Sequence, residues 1–341
     1  MLGTILRIFY IFIVLASTYS YANTISQQEL IELKAEYKRP KDIPYPKYNP
    51  YSKEKLELGK LLFFDPRLSA SGTQSCATCH NPSFYWSDGM ATATGHGHNK
   101  LSRKTPSLLN IAWNEVFMWD GRDLTLESQV SLPLRATDEM NTNIKGLLVK
   151  LNNIEEYKLL FKKAFPTEEQ PISQKSIEKA IATFERSIIS EKSPFDDWIE
   201  GNEDAISKSA KQGFILFNTK AGCAACHSEW NFTDDSLHDI GLPSQDIGRG
   251  KIDKSRINML HAFKTPGLRN IAKRSPYMHN GSLKSLNDVI NHYDSGFIKR
   301  KSLSSEISTL NLTQSEKDNL IDFLKTLTSQ DRPVALPILP K

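Results

Sequence analysis

Two short motifs, Cys76-Ala77-Thr78-Cys79-His80 and Cys223-Ala224-Ala225-Cys226-His227, use all four cysteines of this 341-residue chain. C-x-x-C-H reads as a c-type haem attachment site. Each cysteine adds across a haem vinyl group to form a thioether, and the histidine supplies the proximal iron ligand. A structural zinc ion would need the two pairs to converge, yet they lie 147 residues apart and each brings its own histidine. A thioredoxin-like redox pair needs no following histidine and sits beside a βαβ pattern, which is not legible here. Two covalent c-type haems are the expectation.

The sequence around the motifs repeats. Leu58-Gly59-Lys60-Leu61-Leu62-Phe63 before the first resembles Gln212-Gly213-Phe214-Ile215-Leu216-Phe217 before the second. Thr105-Pro106 through Asn110-Ile111-Ala112 recurs 160 residues on as Thr265-Pro266 through Asn270-Ile271-Ala272, and Phe117-Met118-Trp119-Asp120-Gly121 as Tyr277-Met278-His279-Asn280-Gly281. Two copies of one haem-binding unit are thus joined in one chain, the second with 13 extra residues between its haem motif and Thr265.

Where the copies differ, labour is divided. At the same offset Pro133 falls opposite Tyr293. Proline offers iron no ligand, whereas a tyrosine phenolate can bind ferric iron. If this position lies over the distal face, the first iron is open to peroxide and the second is closed. Met278, His279 and Met259 are the other candidates for the second iron. A methionine ligand would raise its potential; a phenolate would stabilise its oxidised states. Near Pro133 stand Gln129 and Glu139, and a positioned carboxyl can carry the proton that heterolysis of a peroxide bond requires.

The positioning elements are helical. Leu58, Leu61 and Leu62 share one helix face that ends near Asp65-Pro66, because proline cannot continue the hydrogen-bond ladder. Ile177, Ile181, Phe184 and Ile188 mark a second amphipathic helix, expected to bridge the halves. Thr313 and Glu316 form a capping box for a last helix carrying Leu320, Phe323, Leu324 and Leu327. No long alternating strand pattern is present. The expected fold is mainly α: two cytochrome c-like haem domains related by the internal repeat, with long loops.

Arg7, the apolar run Ile8 to Ala16 and Ser20-Tyr21-Ala22 read as an export signal cleaved after about Ala22. Residues 1–22 are then signal, 23–50 an extended proline-punctuated lead-in, 51–200 the first haem domain and 201–335 the second. No later stretch approaches the roughly 18 apolar residues of a membrane span. Loss of the signal lowers the formal charge from +4 to +3. That is too mild to argue for nucleic acid, but it suits salt-sensitive docking of an acidic partner. The expected compartment is the periplasm.

From about Leu56 to Leu327 the chain resembles the bacterial di-haem cytochrome c peroxidases and their MauG relatives. The resemblance implies that Trp119 relays electrons between the haems and that Gln129 and Glu139 are the glutamine and catalytic acid beside the peroxidatic iron. It matches Pro133 and Tyr293 to the distal proline and axial tyrosine of the MauG branch. His96, in Gly95-His96-Gly97-His98, matches the peroxidases' mobile distal histidine. A calcium ion between the halves is implied through the carbonyls of Arg274 and Pro276, but its asparagine position here is Lys104, whose ammonium would repel the ion. Two enzymatic readings follow: hydrogen peroxide reduction with electrons from a small cytochrome c or cupredoxin, or MauG-like oxidation of a bound protein substrate. A non-catalytic di-haem electron carrier is the third.

Overall fold

The computed structural model describes residues 25–341, so the expected signal segment lies outside the described residues. Helices carry the architecture: α1 (Gln27–Glu36), α2 (Lys53–Phe64), α3 (Cys76–Cys79), α4 (Leu126–Arg135), α5 (Ile144–Asn152), α6 (Glu155–Ala164), α7 (Gln174–Arg186), α8 (Pro194–Ile199), α9 (Lys208–Asn218), α10 (Leu286–Asn291) and α11 (Gln314–Thr326). A two-residue antiparallel ribbon, β1 (Leu237–His238) with β2 (Phe263–Lys264), pairs Leu237 with Lys264 and His238 with Phe263. The fold is mainly α, as the sequence leads one to expect.

Two cores organise these helices. In the first, Leu58, Leu62 and Phe63 of α2 pack with Ile177, Ile181 and Phe184 of α7, and α4, α5 and α6 add Leu134, Leu151 and Phe161. Burial of each such side chain contributes on the order of 1.5–3 kcal/mol. In the second, Phe214 and Phe217 of α9 meet Leu320, Phe323 and Leu324 of α11, joined by Phe195 and Trp198 of α8. Helix α7 therefore does not bridge the halves as expected: its apolar stripe is taken up by α2 and α4 inside the first lobe.

Close helix approach repeats in both lobes. A Cβ on Gly59 would stand 1.9 Å from the Ala180 carbonyl oxygen of α7, and one on Gly213 would stand 1.9 Å from that of Asn319 on α11. Glycine is what lets each helix pair touch backbone to backbone. The motif-bearing loops repeat too. Asn110 and Asn270 take left-handed φ of 61° and 58°, and Met118 and Met278 take 67° and 71°.

Chain termini join the lobes. The lead-in contains α1, a helix where extended chain was expected, started by a reciprocal capping box between Ser26 and Glu29. Tyr37 at its end is buried in the second core, while Asn49 donates to Glu127 Oε1 of α4 at 2.7 Å. At the other terminus, Arg67 Nη1–H donates to the Pro340 carbonyl at 2.9 Å.

Candidate functional site

His80 lies just past α3 and donates its Nδ1–H to the Trp86 carbonyl at 3.2 Å. Desolvation lowers its pKa, so the ring is neutral and Nε2 is left as the lone-pair donor. His227 repeats the arrangement, with Nδ1 facing the Phe232 carbonyl at 2.8 Å. Desolvation pushes its pKa down to about 4. In both motifs the histidine is oriented through one nitrogen and free at the other, which fits an axial iron ligand.

A cavity of about 420 Å³ opens over the first motif, lined on one side by Cys76, Cys79 and His80 and elsewhere by Gln129, Pro133 and Glu139. Gln129 donates Nε2–H to Met118 Sδ at 3.7 Å, and its Oε1 is buried without a protein partner. Burial, then the charge of Asp138, raises the Glu139 pKa, with Arg122 opposing. The Glu139 charge also bears on Cys79, which burial and then Asp88 and Glu139 push up to about 11. The structure thus brings Gln129, Pro133 and Glu139 together at the first motif. His96 is held by its backbone, which donates to the Asp138 carbonyl at 3.0 Å. Gly95, and not the His96 ring, lines the cavity.

At the second motif, α10 passes into a π-helical turn, His292–Gly296, that contains Tyr293. Such turns swing a side chain out of the regular helical register. Desolvation, then the charges of Cys223 and Cys226, raises the Tyr293 pKa, so the phenol lies beside the second motif. Its neighbour His292 instead faces the Ile240 carbonyl at 3.0 Å. Two of the other candidates have surroundings of their own. Met278 lines the first-motif cavity, and His279 stacks on Phe263 with centroids 3.6 Å apart. Cys226, Asp234 and His238 bring their ligand atoms within 4.8 Å of one another. Thioether formation removes the thiolate from that group and leaves a His238–Asp234 pair at 2.7 Å.

Trp119 is fixed by both halves. Its Nε1–H donates to the Lys104 carbonyl at 2.8 Å, its carbonyl accepts from Lys264 N–H at 2.8 Å, and its ring meets His279 edge-on at 6.4 Å. Arg103 closes the seam, bonding Asp120 and Asp246 at 2.7 Å each. Beside it the buried Lys104 donates Nζ–H to the Met90 carbonyl at 3.1 Å. Burial, with the nearby Arg274 charge adding, lowers the Lys104 pKa. Arg274 and Pro276 both line the cavity.

Two separately oriented C-x-x-C-H sites in two helical lobes, one beneath an acid-bearing cavity, define a di-haem c-type oxidoreductase. The di-haem cytochrome c peroxidase family model matches residues 53–204, and that of cytochrome c matches residues 210–328. The methylamine utilization protein MauG of Methylorubrum extorquens is 50% identical over 317 residues, covering 92% of this chain and 90% of the relative. A cytochrome c551 peroxidase of Pseudomonas aeruginosa is 33% identical over 300 residues, covering 85% and 83%. Among solved structures, a MauG-like protein associated with microbial copper homeostasis superposes with a TM-score of 0.80 at 31% identity, covering 86% of this chain and 95% of that one. The chain belongs to the di-haem cytochrome c peroxidase and MauG family and carries two covalently bound c-type haems. No helix among the described residues is long and apolar enough to cross a membrane.

Proposed function

We propose that this chain is a periplasmic peroxidase in which the first lobe handles hydrogen peroxide and the second holds and passes electrons. Each haem, when bound, supplies an iron that exchanges single electrons and, where its distal face is free, takes peroxide. The reading is carried by one repeat position. It holds Pro133, which has no donor atom to offer, in the cavity of the first lobe, and Tyr293, a phenol close to Cys223 and Cys226, in the second. His80 and His227 would each hold one iron through Nε2. Glu139, kept protonated to higher pH by burial, moves a proton between the peroxide oxygens, a role typically worth 10²–10⁴ in rate. Gln129, in the lining of the same cavity, orients the substrate. Trp119 connects the lobes for electrons, and His96 is a loop residue near the open face.

Electrons come from a small cytochrome c or cupredoxin docking on the surface. A second reading, oxidation of a side chain in a bound protein, is favoured by the tyrosine at 293 and by the 50% identity to a MauG. Addition of peroxide to oxidised holoprotein without reductant separates them. Spectral change spread over both haems supports protein oxidation, and reaction only after one-electron reduction supports the peroxidase. For calcium, Lys104 is proposed to supply part of the positive charge at the seam in place of the ion; calcium retained through exhaustive dialysis would contradict this.

A further inference from the structure

The two lobes superimpose through their contacts as well as their sequence. Asn110 N–H bonds the Ile188 carbonyl and its Oδ1 accepts from Ser190 N–H, while Asn270 makes the same pair of bonds to Leu327 and Ser329. Gly59 lies against Ala180 and Phe184 as Gly213 lies against Asn319 and Phe323. Both correspondences set residue 185 of α7 opposite residue 324 of α11. The first is a glutamate and the second a leucine, and both are buried, at 4% and 5% exposure.

Glu185 lines the cavity that holds Cys76 and His80. After burial, its charge is the largest influence on Cys76, and its Oε2 is buried without a protein hydrogen-bond partner. An unpaired carboxyl at a position where the twin lobe packs leucine is costly unless it stays neutral. Burial indeed pushes Glu185 up to about 8, with Arg186 lowering and Glu127 raising it. Those two neighbours are paired with each other at 2.6 Å, and Lys55 of α2 bears on that pair. Arg186 is thereby engaged elsewhere and does not neutralise Glu185.

We propose that Glu185 is a proton-holding residue for the first haem, releasing its proton when that haem gives up an electron and recovering it on reduction. Loss of one electron, to peroxide or to the second haem, is then balanced by one proton leaving for solvent, and the net charge in the buried cavity stays constant. Leu324 leaves the second haem without such a partner. Glu185 is not a catalytic residue in this role: it adjusts the energy of the neighbouring couple. The inference rests on haem attachment at Cys76 and Cys79, and not on the assignment of peroxide chemistry.

Spectroelectrochemical titration of the holoprotein, its E185Q variant and its E185L variant between about pH 6 and pH 9 tests it, with haem content checked by pyridine haemochrome. The wild-type potential of one couple should fall as pH rises, because ionised Glu185 stabilises the oxidised state. In E185Q, which keeps shape without an ionisable proton, and in E185L, which installs the twin's residue, that slope should flatten to what Glu139 in the same cavity contributes, while the other couple keeps its own pH dependence. A slope unchanged in either variant with two haems bound would overturn the proposal. Peroxide turnover is not read, so a failure of the peroxidase assignment leaves this result interpretable.

Discussion

Proline and tyrosine at one repeat position carry most of the proposed chemistry. Replacing Tyr293 by methionine should raise the second haem's reduction potential, since a thioether ligand disfavours ferric iron relative to phenolate; a potential unmoved in redox titration would show that the phenol is not a ligand. Glu139→Gln keeps size and removes the proton carrier. It should lower the peroxide rate constant by roughly 10²–10⁴ with haem content unchanged, and a rate within about threefold of wild type in stopped flow would remove Glu139 from the mechanism. At this scale much was legible. Cys76 to His80, Cys223 to His227 and the contrast of Pro133 with Tyr293 need only the sequence and its repeat. Glu185 was not, because its meaning comes from the register of α7 against α11, which no linear offset of 160 reveals.

Helices are set by their stripes and caps, and their partners by shape. Gly59→Ala should cost about 3 kcal/mol or more, at the severe end of overpacking, because its Cβ meets the rigid backbone of α7. Gly146→Ala on α5, with nothing nearer than 3.7 Å, should stay within about 1 kcal/mol of wild type, the size of the propensity difference. Chemical denaturation of the two holoproteins compares them, and equal stabilities would contradict the close α2–α7 contact. The last helix was readable in full, since Thr313, Glu316 and the Leu320–Phe323–Leu324 stripe agree on one answer. Helix α1 left a short signal, the Ser26–Glu29 box and the pair Leu30 and Leu33, which pack against the second core. The placement of α7 was not legible, because a stripe states that a face is buried without naming what covers it. The π-helical turn at Tyr293 leaves no sequence trace, being a slip in hydrogen bonding that any residue allows.

Across the whole molecule, the seam between lobes fixes the distance that electrons travel. Arg103 binds Asp120 and Asp246 from opposite lobes. Burial alone would raise the Asp246 pKa, but hydrogen bonds from Arg103 and Lys251 outweigh it and hold the carboxylate well below its usual range. Because the folded value is depressed, this contribution to stability is present above the unfolded aspartate value of about 3.9 and is lost as pH falls below it. Arg103→Met should therefore melt below wild type at neutral pH, with the gap narrowing under about pH 4; a gap constant across that range would contradict the ion pair's role.

The asymmetry of the two irons is tested most directly by electron paramagnetic resonance of the oxidised holoprotein during titration with azide. One ligand-sensitive haem per chain is expected, lost to a six-coordinate signal at one equivalent, beside a second haem whose spectrum does not move until Tyr293 is replaced by phenylalanine. Two haems that both ignore azide, or two that both bind it in the unsubstituted protein, would contradict the division of labour between Pro133 and Tyr293.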